Sequence, residues 1–166
     1  MSNEPAKVEF REKILAFQEG LIGLVESGQM KSIFDSEYRL IHHFTPIDPK
    51  YGCCAYAREM FVPKGYVIVG KIHKHAHLNF LMKGKMSVAS ENGTQIVEAP
   101  MIMVSQPGIK RAGYALEDSI WVTVHLTEHV GEEHLEEIEE EVIAKNYEEL
   151  GLISSAAELS RLEEAK

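Results

Sequence analysis

The chain has 166 residues, enough for one domain with a sizeable core and too few for two ordinary ones. Its composition, 45% hydrophobic and 26% charged, is globular, and no apolar run approaches the roughly 20 residues that cross a bilayer, so no membrane-spanning helix and no membrane partner are expected. The net charge of -9 sits in one segment: between Glu128 and Glu149 ten glutamates face a single lysine, while the remaining charges balance. Such a chain lacks the clustered Lys and Arg that phosphate contacts need, which argues against nucleic acid as a partner. The opening Met1-Ser2-Asn3-Glu4-Pro5 lacks the basic-then-apolar pattern of a secretory signal, and a cytoplasmic location is expected. Cys53 and Cys54 are sequence neighbours, poorly placed for ordinary disulfide geometry and without CxxC spacing; they read as inert thiols.

Residues 1–36 form an N-terminal helical extension in this reading. Val8 to Glu26 carries Val8, Ile14, Leu15, Phe17, Leu21, Ile22, Leu24 and Val25 mostly on one stripe, and Gly28 is a natural stop. The stripe is expected to pack on the domain or on a partner subunit. Residues 37–128 then change to short β-type runs: Arg39 to Phe44, Ala55 to Val62, Tyr66 to His73, His77 to Lys83, Lys85 to Ser90, Gln95 to Glu98, Met101 to Ser105, Arg111 to Ala115 and Ser119 to Thr127. Turn residues separate them, and Asn92-Gly93 is a strong hairpin signal because both residues tolerate the positive φ of a type I′ turn. Regularly spaced strands without intervening helices predict a mainly β sandwich or barrel. Residues 129–166 form an acidic C-terminal helical extension, with Leu135, Ile138, Val142 and Ile143 on the docking side and glutamates on the solvated side. A last short helix is expected after the capping-box spacing Ser155-Ala156-Ala157-Glu158.

The chemistry concentrates in Gly70-Lys71-Ile72-His73-Lys74-His75-Ala76-His77. Imidazole is the commonest metal ligand and is neutral near pH 7, and spacing by two puts rings on one side of an extended chain. The cluster predicts a metal site built on adjacent strands. His73 is favoured over His75 because it continues the face of Val67 and Val69, although His75 is an alternative partner for His77.

An all-β core with a His-rich strand junction, and Gly84 seven residues after His77, resembles the cupin superfamily, over about Ala55 to Thr127. The resemblance implies a double-stranded β-helix, or jelly-roll barrel, here with flanking N-terminal and C-terminal α-helices. More narrowly, Tyr56-Ala57-Arg58-Glu59-Met60-Phe61-Val62-Pro63, Gly70-Lys71-Ile72-His73-Lys74, His77-Leu78-Asn79 and Pro107-Gly108-Ile109-Lys110-Arg111 are similar to small, uncharacterised cupin-like proteins encoded by bacteriophages. In most cupins two histidines of a first motif, a glutamate, and a histidine after a PxG motif hold one metal ion. This chain departs from that pattern. His77 occupies the position of the acidic ligand, Arg111 that of the late histidine, and Gly65 lies eight residues before His73, out of register with the leading glycine.

The ligand set expected from these departures is His73, His77 and His125, with His75 in reserve. Three histidines with open positions suit zinc, and iron, manganese or nickel also accept them. Arg111 has two readings: its planar fork binds a carboxylate or phosphate of a ligand, or it pairs with an acid such as Glu59. Glu59 and Arg111 are the only candidates for a catalytic role. Tyr56, Tyr114 and Trp121, with Arg111, are candidate substrate-binding residues, and Met82 is a further pocket candidate. His42 and His43 are expected to be structural, and His129 and His134 exposed. The function expected is a divalent-metal-binding protein of unassigned reaction, phage-encoded and acting in the host cytoplasm, with a small polar or anionic ligand. The alternative is a metal-free ligand-binding or scaffolding protein that works as an oligomer, and a homodimer or higher oligomer is expected in either case.

Overall fold

A computed structural model describes residues 4–153; the expected helix after Ser155 lies outside the described residues. A long helix, α1 (Glu4–Glu26), is followed by β1 (Arg39–Phe44), β2 (Cys54–Val62), β3 (Val67–Val69), β4 (Ile72–His73), β5 (His77–Lys83), β6 (Lys85–Ser90), β7 (Gly93–Glu98), β8 (Met101–Ser105), β9 (Ala112–Ala115) and β10 (Ser119–Thr127). The chain ends in α2 (Leu135–Val142) and β11 (Ile143–Ala144). All strand pairs are antiparallel. One sheet has the order β1-β2-β10-β5-β8, a second β3-β9-β6-β7, and β4 and β11 form a small ribbon of their own. Two sheets whose neighbours are mostly far apart in sequence, closing on one core, make a jelly-roll barrel with flanking helices.

Alternation along the strands decides what enters the barrel. In β10 the buried residues are Ser119, Trp121, Thr123, His125 and Thr127, and in β5 they are His77, Asn79 and Leu81. Antiparallel register turns this into cross-strand rows. Met60, Trp121, Leu81 and Met101 align across β2, β10, β5 and β8; Arg58, Thr123, Asn79 and Met103 form the next row. Tyr56 pairs with His125, and His77 with Ser105, one row further on. Val62, Leu81 and Trp121 meet Met86, Val88, Val97 and Ala115 of the second sheet, forming the main core at one end of the barrel. Each large side chain there contributes about 1.5–3 kcal/mol by leaving water.

Gly84 lets the chain pass from the first sheet into the second. Its φ is 85°, and a Cβ there would lie 2.4 Å from the Asp118 carbonyl oxygen, so no other residue fits without displacing backbone.

Four sequence expectations are revised. The expected strand Tyr66 to His73 breaks at Gly70-Lys71 into β3 and β4, because β3 pairs with β9 while β4 turns away to pair with β11. The hairpin at Asn92-Gly93 exists, but Ser90 pairs with Gly93, so Glu91 and Asn92 form the turn and Gly93 alone has positive φ. The type I′ form is therefore not adopted. Glu91 is fixed there by Arg11 of α1, with Nε to Oε2 at 2.8 Å and both side chains about 95% buried.

The acidic tail is helical only to Val142; it then re-enters as β11, with Ile143 opposite His73 and Ala144 opposite Ile72. Ile138 and Val142 dock on Tyr56 and Phe44, while Glu136, Glu137, Glu139 and Glu140 face solvent. Finally, only Arg11 and Ile14 of α1 are buried. Its later apolar residues, Phe17, Ile22 and Leu24, are exposed rather than packed on the barrel.

Candidate metal centre

The polar end of the barrel is built by the same strands as the core, two rows further along. His77 opens β5 and His125 lies near the end of β10, both buried and both pointing inward by strand alternation. The half-buried His73 arrives from β4, which is held in place by pairing with β11 and by the Gly108 amide donating to the His73 carbonyl at 2.9 Å. The ring centroids are 4.1 Å apart for His73 and His77, 4.6 Å for His77 and His125, and 4.8 Å for His73 and His125. One ring nitrogen from each lies within 4.8 Å of the others. Zinc–nitrogen bonds of about 2.0–2.1 Å set two tetrahedral ligand atoms roughly 3.4 Å apart, so the rings stand within a side-chain rotation of ligation.

Protonation favours the same use. Burial, with the neighbouring imidazoles and the Arg58 and Arg111 charges adding to it, pushes His73 down to about 2. Burial, then His77 and Arg58, takes His125 to about 3. His77 is also lowered, chiefly by burial. All three rings are neutral at pH 7 and offer lone pairs without releasing a proton.

His77 Nδ1 lies 3.1 Å from the His75 carbonyl oxygen. A carbonyl only accepts, so the proton is on Nδ1 and the lone pair on Nε2, the arrangement by which a backbone oxygen orients a ligating histidine. His73 Nδ1 is buried without a hydrogen-bond partner. A buried nitrogen beside two further imidazoles, with no donor or acceptor of its own, fits a coordinating atom.

A cavity of about 230 Å³ opens over this cluster, and Arg58, Asn79, Arg111, Trp121 and Thr123 line it with Met60, Val88 and Ile68. Trp121 Nε1 donates to Asn79 Oδ1 at 3.0 Å, which fixes the amide and leaves Asn79 Nδ2 buried without an acceptor. Arg111 donates from Nη1 to Ser105 Oγ at 2.6 Å, and burial lowers its guanidinium below the usual range.

Of the residues singled out in the sequence, the structure brings His73, His77 and His125 together and places Arg111 and Trp121 on the cavity wall. His75 sits in the exposed bend between β4 and β5, where only its carbonyl serves the cluster. Glu59 does not face the cavity. It occupies the opposite phase of β2 from Arg58, and its carboxylate meets His43 Nε2 at 3.0 Å, so it neither pairs with Arg111 nor reaches a ligand as a base. Tyr56 is buried behind His125, with its hydroxyl 2.7 Å from His42 Nδ1 and its ring stacked on Phe44, and it lines no part of the cavity. Tyr114 lies on β9 with its side chain 43% exposed, and Met82 is exposed on β5; neither lines the cavity. His129 and His134 are half-buried, 5.7 Å apart. Cys54 is buried and donates to the His129 carbonyl, and both cysteines are free.

Sequence reasoning passed over Arg58 and Asn79. A signal for both was present: Arg58 shares the phase of Tyr56, Met60 and Val62, and Asn79 that of His77 and Leu81.

No protein-family model matches the sequence, and no curated protein matches it. Solved structures do, and cupins are among them. Ectoine synthase from P. lautus is 12% identical with a TM-score of 0.47, over 66% of this chain and 85% of that one. KdgF from Halomonas sp. is 16% identical with a TM-score of 0.39, over 54% and 90%. An RmlC-like cupin from Shewanella frigidimarina is 14% identical with a TM-score of 0.39, over 51% and 83%. The fold assignment rests on the strand topology above, and what this chain does rests on its own residues.

Proposed function

We propose that the chain is a metal-binding protein of cupin type that holds one divalent ion, Zn, Fe, Mn or Ni, between His73, His77 and His125 at the base of a cavity for a small polar or anionic ligand. The observation that carries this reading is the convergence of three neutral, inward-facing imidazoles, one with an unpartnered buried nitrogen. Three protein ligands leave coordination positions open, the feature that separates catalytic from structural zinc sites. A metal there supplies Lewis-acid polarisation or activation of water or dioxygen. The protein's own contribution is the orientation of His77 by the His75 carbonyl, the clamping of β4 by β11, and a wall of Trp121, Met60 and Val88 that keeps water from the ligand. No carboxylate lines the cavity among the described residues, so a reaction here draws its proton transfers from elsewhere than Glu59. The phage-like segments around Tyr56, His73, His77 and Arg111 support a bacteriophage-encoded protein working in the host cytoplasm.

Titration of tag-free, chelator-stripped protein tests the metal reading. About one equivalent of Zn, Mn, Fe or Ni bound, and lost in a His73→Ala, His77→Ala double variant, supports it. Less than a tenth of an equivalent of any of them rules it out.

The outer face of the five-stranded sheet favours a second property, self-association. Leu78 and Met82 of β5, Ile102 and Val104 of β8 and Leu126 of β10 are each 40–67% exposed and form one apolar surface. A two-fold interface presents a patch to itself, and an uncharged patch does so without like-charge repulsion despite the net charge of -9. This supports a homodimer, and with it the alternative in which the barrel is a metal-free scaffold. Sedimentation at micromolar concentration tests dimerisation, and Ile102→Glu is expected to give monomer.

A further inference from the structure

The cavity contains two guanidinium groups and, among the described residues, no countercharge. Arg58 projects inward from β2 with its Nε buried and unpartnered, and among the described residues no ion pair involves Arg58 or Arg111. Arg11 shows how this chain otherwise treats an interior arginine. It has Glu91 on two nitrogens and the Leu152 carbonyl on a third. Arg58 and Arg111 are half-buried and face the cavity without a carboxylate, an arrangement a ligand completes by supplying the missing charge. Lys71 also lines the cavity but is engaged by Glu139.

We propose that the cavity binds a small aliphatic dicarboxylate, one carboxylate on Arg58 and Asn79 and the other on Arg111, with the hydrocarbon between them against Trp121 and Met60. The inference rests on the reading of this cavity as the ligand site, though not on the metal. Three observations converge on it. Arg58 belongs to the five-stranded sheet and Arg111 immediately precedes β9 of the four-stranded sheet, so the two charges stand on different walls. Both guanidinium groups line the same cavity as His73 and His77, so the charges stand beside the histidine cluster. Asn79 shares the cross-strand row of Arg58 and Thr123, and its unpartnered Nδ2 adds a neutral donor to the same wall. A monocarboxylate leaves one guanidinium uncompensated. An acid with two carboxylates and an apolar middle matches the charge, the donors and the lining together.

Calorimetric titration with succinate, butyrate, succinamide and inorganic phosphate, on chelator-stripped and zinc-loaded protein, tests the proposal. Succinate is expected to bind at least ten times more tightly than butyrate or phosphate, and succinamide not detectably. Arg58→Met and Arg111→Met are each expected to weaken succinate at least tenfold. Arg58→Lys and Arg111→Lys, which keep the charge and lose the fork, serve where a methionine variant does not fold, with weakening of intermediate size expected. Equal binding of succinate and succinamide, phosphate binding tighter than succinate, undiminished binding by the folded arginine variants, or no succinate binding to either form would overturn it. Succinate binding by protein that takes up no metal would remove the metal centre and leave the dicarboxylate site standing.

Discussion

The two ends of the barrel are made by the same strands and differ in what those strands point inward. At one end Met60, Trp121 and Leu81 form a row that meets Met86 and Val88 of the facing sheet, and every group there is satisfied by contact. Two rows on, the same phase of β5 and β10 presents His77 and His125, and the row between presents Arg58, Asn79 and Thr123. The first end offers a ligand only apolar contact, through Trp121, Met60 and Val88 on the cavity wall. The second carries unpartnered atoms on His73, Arg58 and Asn79. A jelly roll thus separates stability from binding along one strand direction, and substitutions at the two ends should have effects of opposite character.

Arg11 and Arg58 give the sharpest contrast, because both are inward-facing arginines. Arg11→Met removes the shorter of the two ion pairs of the buried Glu91, leaving it Lys7 at 3.4 Å, and loosens α1 from the β6–β7 turn; a loss of about 3 kcal/mol is expected in urea denaturation. Leu81→Ala, in the fully buried centre of the apolar row, is expected to cost about 2–5 kcal/mol by the same measurement, with metal uptake retained in the folded fraction. Arg58→Met should act in the other direction, stabilising the ligand-free protein by about 1 kcal/mol, since it removes an uncompensated charge. If Arg58→Met destabilises as Arg11→Met does, the charge of Arg58 is compensated within the protein and the contrast between the two arginines fails.

Acid separates the ends as well. The three imidazoles have folded values below the ordinary 6.5, with His73 at about 2 and His125 at about 3, so below pH 6.5 the unfolded chain binds protons that the native protein refuses. Their contribution is intact above 6.5 and is lost progressively as pH falls toward 3. Thermal melts of metal-free protein should therefore fall in that window, and a His73→Gln, His125→Gln variant should show a flatter profile. An equal acid slope in both proteins would mean that the histidines are not buried as a cluster.

The strands were legible because their signals are local. Alternating apolar residues and turn residues gave Arg39–Phe44, His77–Lys83 and Ser119–Thr127 with the bounds observed. The convergence of His77 with His125 was open to inference because both belong to strands that a closed barrel brings together. What escaped was non-local or a matter of phase. β11 is two residues long, and no local pattern announces that Ile143 will pair with His73. In the Glu91-Asn92 turn, Glu91 is held by Arg11 of a distant helix, a contact that no local Asn-Gly pattern announces. Glu59 and Arg58 are adjacent, so choosing the wrong one inverts the face; the apolar phase of Tyr56, Met60 and Val62 marks Arg58 as the inward residue.

Metal stoichiometry by mass spectrometry, on tag-free protein and its single histidine variants, tests the centre most directly. The account predicts about one divalent ion per chain, loss of at least 90% of it in His73→Ala, His77→Ala and His125→Ala, and full retention in His75→Ala, whose backbone carbonyl remains to orient His77. An ion that survives removal of His125, or one that departs with His75, would contradict it.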